Sequence, residues 1–165
     1  MIIGIGGAST SGKSWLATKI KLKYPGKKVK ILCQDDFVLA SAQLPTIRDH
    51  FDWEIPESIN FDRYLEAVLR CYIGYDIVIA EGLMVFYDKR LVRLFDKKIF
   101  IEISKDTFMK RKVDDLRWGR EPDWYIEHIW ESYLKYGTIK TDDTSFLVVK
   151  GDGIVDLKRV YEYIG

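Results

Sequence analysis

Apolar residues run almost unbroken from Met1 to Ile5 and again over Asp76-Ile77-Val78-Ile79-Ala80. That is the pattern of central strands buried on both faces. Val29 to Cys33, Lys98 to Ile103 and Ser145 to Val149 are further strand-like runs. Between them the spacing changes to a helical period. A helix is expected from Lys13 to about Lys23, stopped by Pro25-Gly26, which cannot continue it. From about Ile59 to Tyr72, Phe61, Leu65, Val68 and Tyr72 fall on one face. A basic helix is expected from about Lys105 to Arg117, with Met109, Val113 and Leu116 inward, broken by Trp118-Gly119-Arg120-Glu121-Pro122. Another runs from about Trp124 to Tyr136 and buries Ile126, Ile129, Trp130, Tyr133 and Leu134, and Leu157, Val160, Tyr161 and Ile164 mark a closing helix. Val38 to Pro56 has no clean period and reads as a long surface segment, a common form of binding loop. Strands alternating with helices predict a doubly wound α/β domain of five parallel strands, spanning 1–165 without repeats or a linker.

The first strand leads directly into Gly7-Ala8-Ser9-Thr10-Ser11-Gly12-Lys13-Ser14, a G-x-x-x-x-G-K-S loop, and then into the first helix. Strand, glycine loop and helix in that order form a phosphate cradle. Without Cβ atoms the backbone can wrap closely round a phosphate, and loop and helix-start amides point at its oxygens. Lys13 is expected to reach the β- and γ-phosphates and the Ser14 hydroxyl to ligate Mg²⁺. The candidate nucleotide-binding set is Gly7, Ser9, Thr10, Ser11, Gly12, Lys13, Ser14 and Trp15, for ATP or GTP with Mg²⁺.

Three further groups could carry phosphoryl-transfer chemistry. Asp35 and Asp36 of Gln34-Asp35-Asp36-Phe37 stand where the second strand ends, and open parallel sheets bind ligands outside those carboxyl ends. A carboxylate there can orient an attacking hydroxyl and take its proton. Glu81, ending the most apolar strand, is placed to hold the metal directly or through its waters. Arg117 and Arg120, at the break near Gly119 and Pro122, are candidates for a mobile lid over the phosphates at about 117–124. Lys110 and Lys112 read as a solvated helix face, and His50 and His128, which lack ligand partners at helical spacing, as structural or solvent-facing.

Composition changes the picture little. At 47% hydrophobic and net charge +1 the chain suits one globular domain, with no field that calls for nucleic acid or an acidic membrane. Cys33 and Cys71 lack C-x-x-C spacing and are expected to be buried free thiols. Neither a cationic start before an apolar core nor an apolar run of membrane-spanning length is present, so a cytoplasmic location is expected.

The glycine loop, then Gln34-Asp35-Asp36-Phe37, then Glu81-Gly82-Leu83-Met84-Val85-Phe86 together resemble the nicotinamide riboside kinases within the uridine kinase-like P-loop kinases. His128-Ile129-Trp130-Glu131-Ser132-Tyr133-Leu134-Lys135-Tyr136 is similar to the H-V-W-x-x-Y-L-K-Y pattern of the riboside kinases. The glycine loop is generic to kinases; the other stretches are specific. The resemblance implies ATP-dependent phosphorylation of a riboside 5′-hydroxyl, a small-molecule partner, a P-loop nucleoside kinase fold with a helical lid, and a monomer or weak homodimer. It implies Asp35 as base, with Asp36 and Phe37 beside it, Asp52 as the ribose carboxylate, Phe51 against the base, Glu81 on the metal side and Arg117 at the lid. Val38 departs from the second aromatic expected after D-D-F. A uridine/cytidine-type or other small-alcohol kinase is the alternative within the class, and a nucleotide-binding regulatory switch the alternative outside it.

Overall fold

The computed structural model describes residues 1–117, 119–139 and 143–165. In chain order the elements are β1 (Ile2–Gly7), α1 (Lys13–Lys23), β2 (Val29–Cys33), β3 (Thr46–Ile47), β4 (His50–Phe51), α2 (Phe61–Gly74), β5 (Ile77–Gly82), α3 (Lys89–Val92), β6 (Lys97–Glu102), α4 (Lys105–Val113), α5 (Asp123–Ser132), β7 (Phe146–Lys150) and α6 (Leu157–Ile164). Five strands form one parallel sheet in the order β2-β5-β1-β6-β7, and β3 and β4 make a two-residue antiparallel ribbon.

Successive side chains of β1 serve opposite faces. Ile3 and Ile5 join Leu16, Ile20, Val160 and Ile164, so α1 and α6 cover one side. Ile2 packs with Tyr64, Val68, Val78 and Ala80 beneath α2 on the other. Beside it Phe100 lies among Phe108, Ile129, Trp130 and Tyr133, which anchors α4 and α5. The register sets Cys33 opposite Glu81 and Gly6 opposite Gly82. The carboxyl ends of β2, β5 and β1 therefore finish level, at the mouth where α1 begins.

Several expected helix faces shift. Tyr64, not Tyr72, is the buried aromatic of α2, because its hydroxyl finds the carbonyls of Leu32 and Glu81, each at 3.2 Å. Tyr72 is exposed and Cys71 takes the inward place in the last turn. The basic helix ends at Val113, four residues before Arg117. Its inward residues are Phe108, against Trp130 at 5.1 Å, and Lys112, while Val113 and Leu116 are exposed. After α5 the chain continues as one π-helical turn over Tyr133–Gly137. The wider turn changes the helical phase, so Tyr133 stays buried while Leu134 faces out. Cys33 and Cys71 are free but only half-buried. The lid stretch is an irregular connection that enters α5 at Asp123, and the part of it at Trp118 lies outside the described residues.

Candidate functional site

The turn after β1 is set by two glycines. Gly12 sits at φ +100, a left-handed value that L side chains rarely adopt. A Cβ on Gly7, at φ +148, would lie 2.5 Å from the Ile101 carbonyl oxygen. Lys13 folds back to donate to the Ala8 carbonyl at 2.8 Å, so its ammonium stands over the loop. Ser14 Oγ donates to Glu81 Oε1 at 2.6 Å, which brings the first residues of α1 to the end of β5. Glu81 is 2% exposed. Arg111 braces the cradle from α4, donating to the carbonyls of Thr10 at 3.2 Å and Gly151 at 2.7 Å.

A cleft of about 690 Å³ opens over these strand ends. One end is lined by Ser9, Thr10, Gly12, Lys13, Ser14 and Trp15. Asp35 and Glu81 stand in the middle, and Arg117 and Arg120 border it. Gly7 and Ser11 lie within the turn and do not line it, and the Ser11 hydroxyl is buried without a partner. Gln34 is buried and accepts from the Met84 amide at 3.0 Å, which fixes the start of Gln34-Asp35-Asp36-Phe37 against the chain after β5. Asp36 is exposed outside the cleft, and Phe37 stacks on Tyr64 at 4.6 Å in the core. The cleft thus receives one aspartate of the pair.

The far wall comes from the segment after Phe37. Its ends are stapled by a bridge between Val38 and Ile59 and by the Asn60 amide on the Phe37 carbonyl at 2.8 Å. His50, Trp53 and Glu54 from this segment and Tyr125 from α5 reach the cleft. Phe51 is partly exposed, edge-on to Trp53 at 6.0 Å, and does not line the cleft. Asp52 is 6% exposed and turned away from the cleft: its Oδ1 lies 2.9 Å from His128 Nε2 and accepts from the Glu54 amide at 3.1 Å. The cleft presents the Glu54 carboxylate instead.

Glu54 was not distinguishable from a solvated loop acid in the sequence. Its carboxyl is pushed up to about 8, chiefly by burial and then by the charge of Asp35, with Lys112 pulling the other way. Lys112 also corrects an expectation: it is 5% exposed and pairs with Glu121 at 2.7 Å at the cleft wall, not on a solvated face. Arg117 forks onto Asp115 through Nε and Nη2, both at 2.7 Å, and holds that carboxyl at about 2. Burial, with Asp35 and Glu81 adding charge, pushes the Cys33 thiol up to about 12, so it is no nucleophile at neutral pH.

The arrangement suits in-line transfer of a phosphoryl group. The glycine loop, the Asp35 carboxylate and the aromatic side chains of Trp53 and Tyr125 line one cleft, the parts such a transfer needs. Ser14 and Glu81 offer hard oxygen donors side by side, the type Mg²⁺ takes. Among the described residues no cluster of three or more His, Cys, Asp or Glu stands ready for a metal. No helix among the described residues is long and apolar enough to cross a membrane.

Known proteins agree with this geometry. No family model matches the chain. A uridine kinase of Mycoplasma genitalium is 30% identical over 154 residues, covering 77% of this chain and 72% of that protein. Human nicotinamide riboside kinase 1 is 26% identical over 169 residues, 92% of this chain and 83% of the relative. A uridine kinase of Saccharomyces cerevisiae is 27% identical, but the chain spans only 34% of its length. Among solved structures, a sugar kinase from Janibacter sp. HTCC2649 superposes with a TM-score of 0.65 at 16% identity, over 99% of this chain and 93% of the other. Shikimate kinase from Aquifex aeolicus does so at 0.53 and 17%, with the same coverage. At such identities these two speak for the fold alone.

Proposed function

The chain belongs to the uridine kinase-like P-loop kinases, and from that premise we propose that it transfers the γ-phosphoryl group of ATP to the 5′-hydroxyl of a riboside, with nicotinamide riboside the leading acceptor. The observation that carries this reading is one cleft lined by Lys13, Ser14 and Glu81 at the phosphate end, Asp35 in the middle and Glu54, Trp53 and Tyr125 opposite. Loop amides and Lys13 hold the β- and γ-phosphates. Asp35 accepts a hydrogen bond from the acceptor hydroxyl and takes its proton as the new oxygen–phosphorus bond forms and the bond to the β-phosphate oxygen breaks. Ser14 and Glu81 would hold Mg²⁺, whose contribution when bound is to neutralise charge on the phosphate oxygens. Arg117 and Arg120 would close over the phosphates once Asp115 releases the Arg117 guanidinium. Glu54 is the carboxylate available to the ribose hydroxyls, since Asp52 is committed to His128. Trp53, His50 and Tyr125 offer flat apolar surface to the base.

Likeness to the rat and human proteins named nicotinamide riboside kinase 1, together with the His128-Ile129-Trp130 stretch, supports nicotinamide riboside. Likeness to the Mycoplasma uridine kinase supports uridine or cytidine as the second reading. Purified protein with ATP and Mg²⁺ should be offered nicotinamide riboside, uridine, cytidine and their 2′-deoxy forms, with ADP release followed. The expected result is riboside-stimulated turnover, greatest with nicotinamide riboside and poor with 2′-deoxy acceptors. Slow ADP release that no riboside stimulates would instead favour a nucleotide-dependent switch.

A further inference from the structure

The acceptor wall has almost no regular structure of its own. Between Val38 and Ile59 there are two single-turn 3₁₀ segments before Ile59 and the two-residue ribbon of β3 and β4. Yet this segment must hold the Glu54 side chain in the cleft that Asp35 also lines. Its restraint comes from residue 52. The Asp52 amide donates to the Pro45 carbonyl at 2.8 Å, and its own carbonyl accepts the Ser58 hydroxyl. Its Oδ1 meets both the Glu54 amide and His128 Nε2. His128 lies 76 residues further on, in α5, and the two side chains are 8% and 17% exposed. One turn earlier in α5, the Tyr125 hydroxyl donates to the Phe51 carbonyl at 3.1 Å and accepts from the Trp53 amide at 3.3 Å.

We infer that His128 is a positioning residue for the acceptor: through Asp52 it fixes the backbone of Glu54 and Trp53, tying the acceptor wall to α5. The inference rests on the riboside reading for what the wall binds, but not for what His128 holds. His128 does not line the cleft. Removing it leaves a screened carboxylate short of a partner and frees that carboxylate from the helix. Glu54 then relaxes away from Asp35, and the acceptor loses its oriented partner while the phosphate cradle, on β1 and α1, is untouched.

The test compares His128→Ala with His128→Gln, whose amide can replace the ring nitrogen as donor. Initial rates are measured against riboside at saturating ATP and against ATP at saturating riboside, with amide hydrogen exchange followed at Glu54. His128→Ala should raise the riboside KM about tenfold, leave the ATP KM within about twofold, and increase exchange at the Glu54 amide. His128→Gln should recover most of both effects, and Asp52→Ala/His128→Ala should be no worse than the poorer single variant. Equal changes in both KM values, no recovery by Gln, or additive single effects would overturn the inference. Should His128→Ala fail to fold, His128→Phe, which keeps the ring but not the nitrogen, is read in its place, with the same expected rise in riboside KM and in exchange at Glu54. If the wild-type protein phosphorylates no riboside, the functional reading fails by itself, and unchanged exchange at Glu54 in His128→Ala or His128→Phe would remove the positioning role as well.

Discussion

The two ends of the cleft are built by opposite means. At the phosphate end, Gly7 to Ser14 is one continuous stretch, held by β1 on one side and α1 on the other, and its partners Glu81 and Arg111 come from a central strand and a helix. At the acceptor end, Glu54, Trp53 and His50 stand on irregular chain held by side chains from α5 and by stapling at Val38 and Ile59. The first construction fixes geometry by backbone and tolerates little change. The second leaves the wall replaceable, so different acceptors can be served by one transfer apparatus.

The division is broken most severely at Lys13. Lys13→Ala should lower turnover by about a thousandfold or more with every acceptor, because it removes charge stabilisation at the phosphates themselves. Circular dichroism and melting should be unchanged, since the bond Lys13 makes among the described residues is to the Ala8 carbonyl within its own loop. Turnover within about threefold of wild type would remove the phosphate-end assignment.

Asp35→Asn comes next, with kcat expected to fall about 10²–10³-fold. The amide keeps the shape but cannot take the hydroxyl proton. Nucleotide affinity, read by titration calorimetry, should stay near wild type, and Asp36→Asn should be nearly silent because Asp36 lies outside the cleft. A damaging Asp36→Asn beside a silent Asp35→Asn would reverse the roles within the pair.

Glu54→Gln should act on the acceptor end alone, costing about threefold to tenfold in kcat/KM for ribosides. Near neutral pH the folded Glu54 keeps its proton, and hydrogen bonds between uncharged groups are worth roughly 0.5–1.5 kcal/mol, of which the amide keeps only part. The loss should shrink for a 2′-deoxy acceptor. An equal loss on ribosides and deoxyribosides would take the ribose hydroxyls away from Glu54.

The same division decides what could be read from the sequence. The five parallel strands, the glycine cradle, and the strand-end acids Asp35 and Glu81 are local signals: adjacent residues and strand ends carry them, and topology brings strand ends together. The acceptor wall is tertiary. Glu54 matters because the chain folds it into the cleft that Asp35 lines, and Asp52 is the ribose carboxylate that the resemblance implies, with nothing local to show that His128 holds it. Lys112 looked solvated for the same reason, its partner Glu121 lying across the irregular connection to α5. Trp53-Glu54 directly after Phe51-Asp52 was the one available hint, a second aromatic–acid pair in the same segment. The helix faces that shifted, at Tyr72, Val113 and Leu134, did so where a hydroxyl found two carbonyls, a lysine found a buried partner, or a π turn changed phase.

The smallest expected effect is on stability, and it again belongs to the acceptor end. A glutamate unfolds to a carboxyl near 4.3. In the folded chain the Glu54 carboxyl stands at about 8, raised by burial and by Asp35, Glu121 and Asp52 against the pull of Lys112. Between those values the unfolded state has released a proton that the folded state keeps. Folding therefore binds protons, and this residue's contribution to stability falls as pH rises through that window, then levels off above about 8. Glu54→Gln has no proton to lose. Its melting temperature relative to wild type should climb between about pH 5 and pH 8 and then hold. Placing Asp35→Asn in the background should flatten that climb and move it to lower pH, because the strongest charge acting on Glu54 is gone. A difference in melting temperature that is constant with pH, or that falls as pH rises, would mean that Glu54 is an ordinary ionised loop acid and that the acceptor wall does not press it against Asp35.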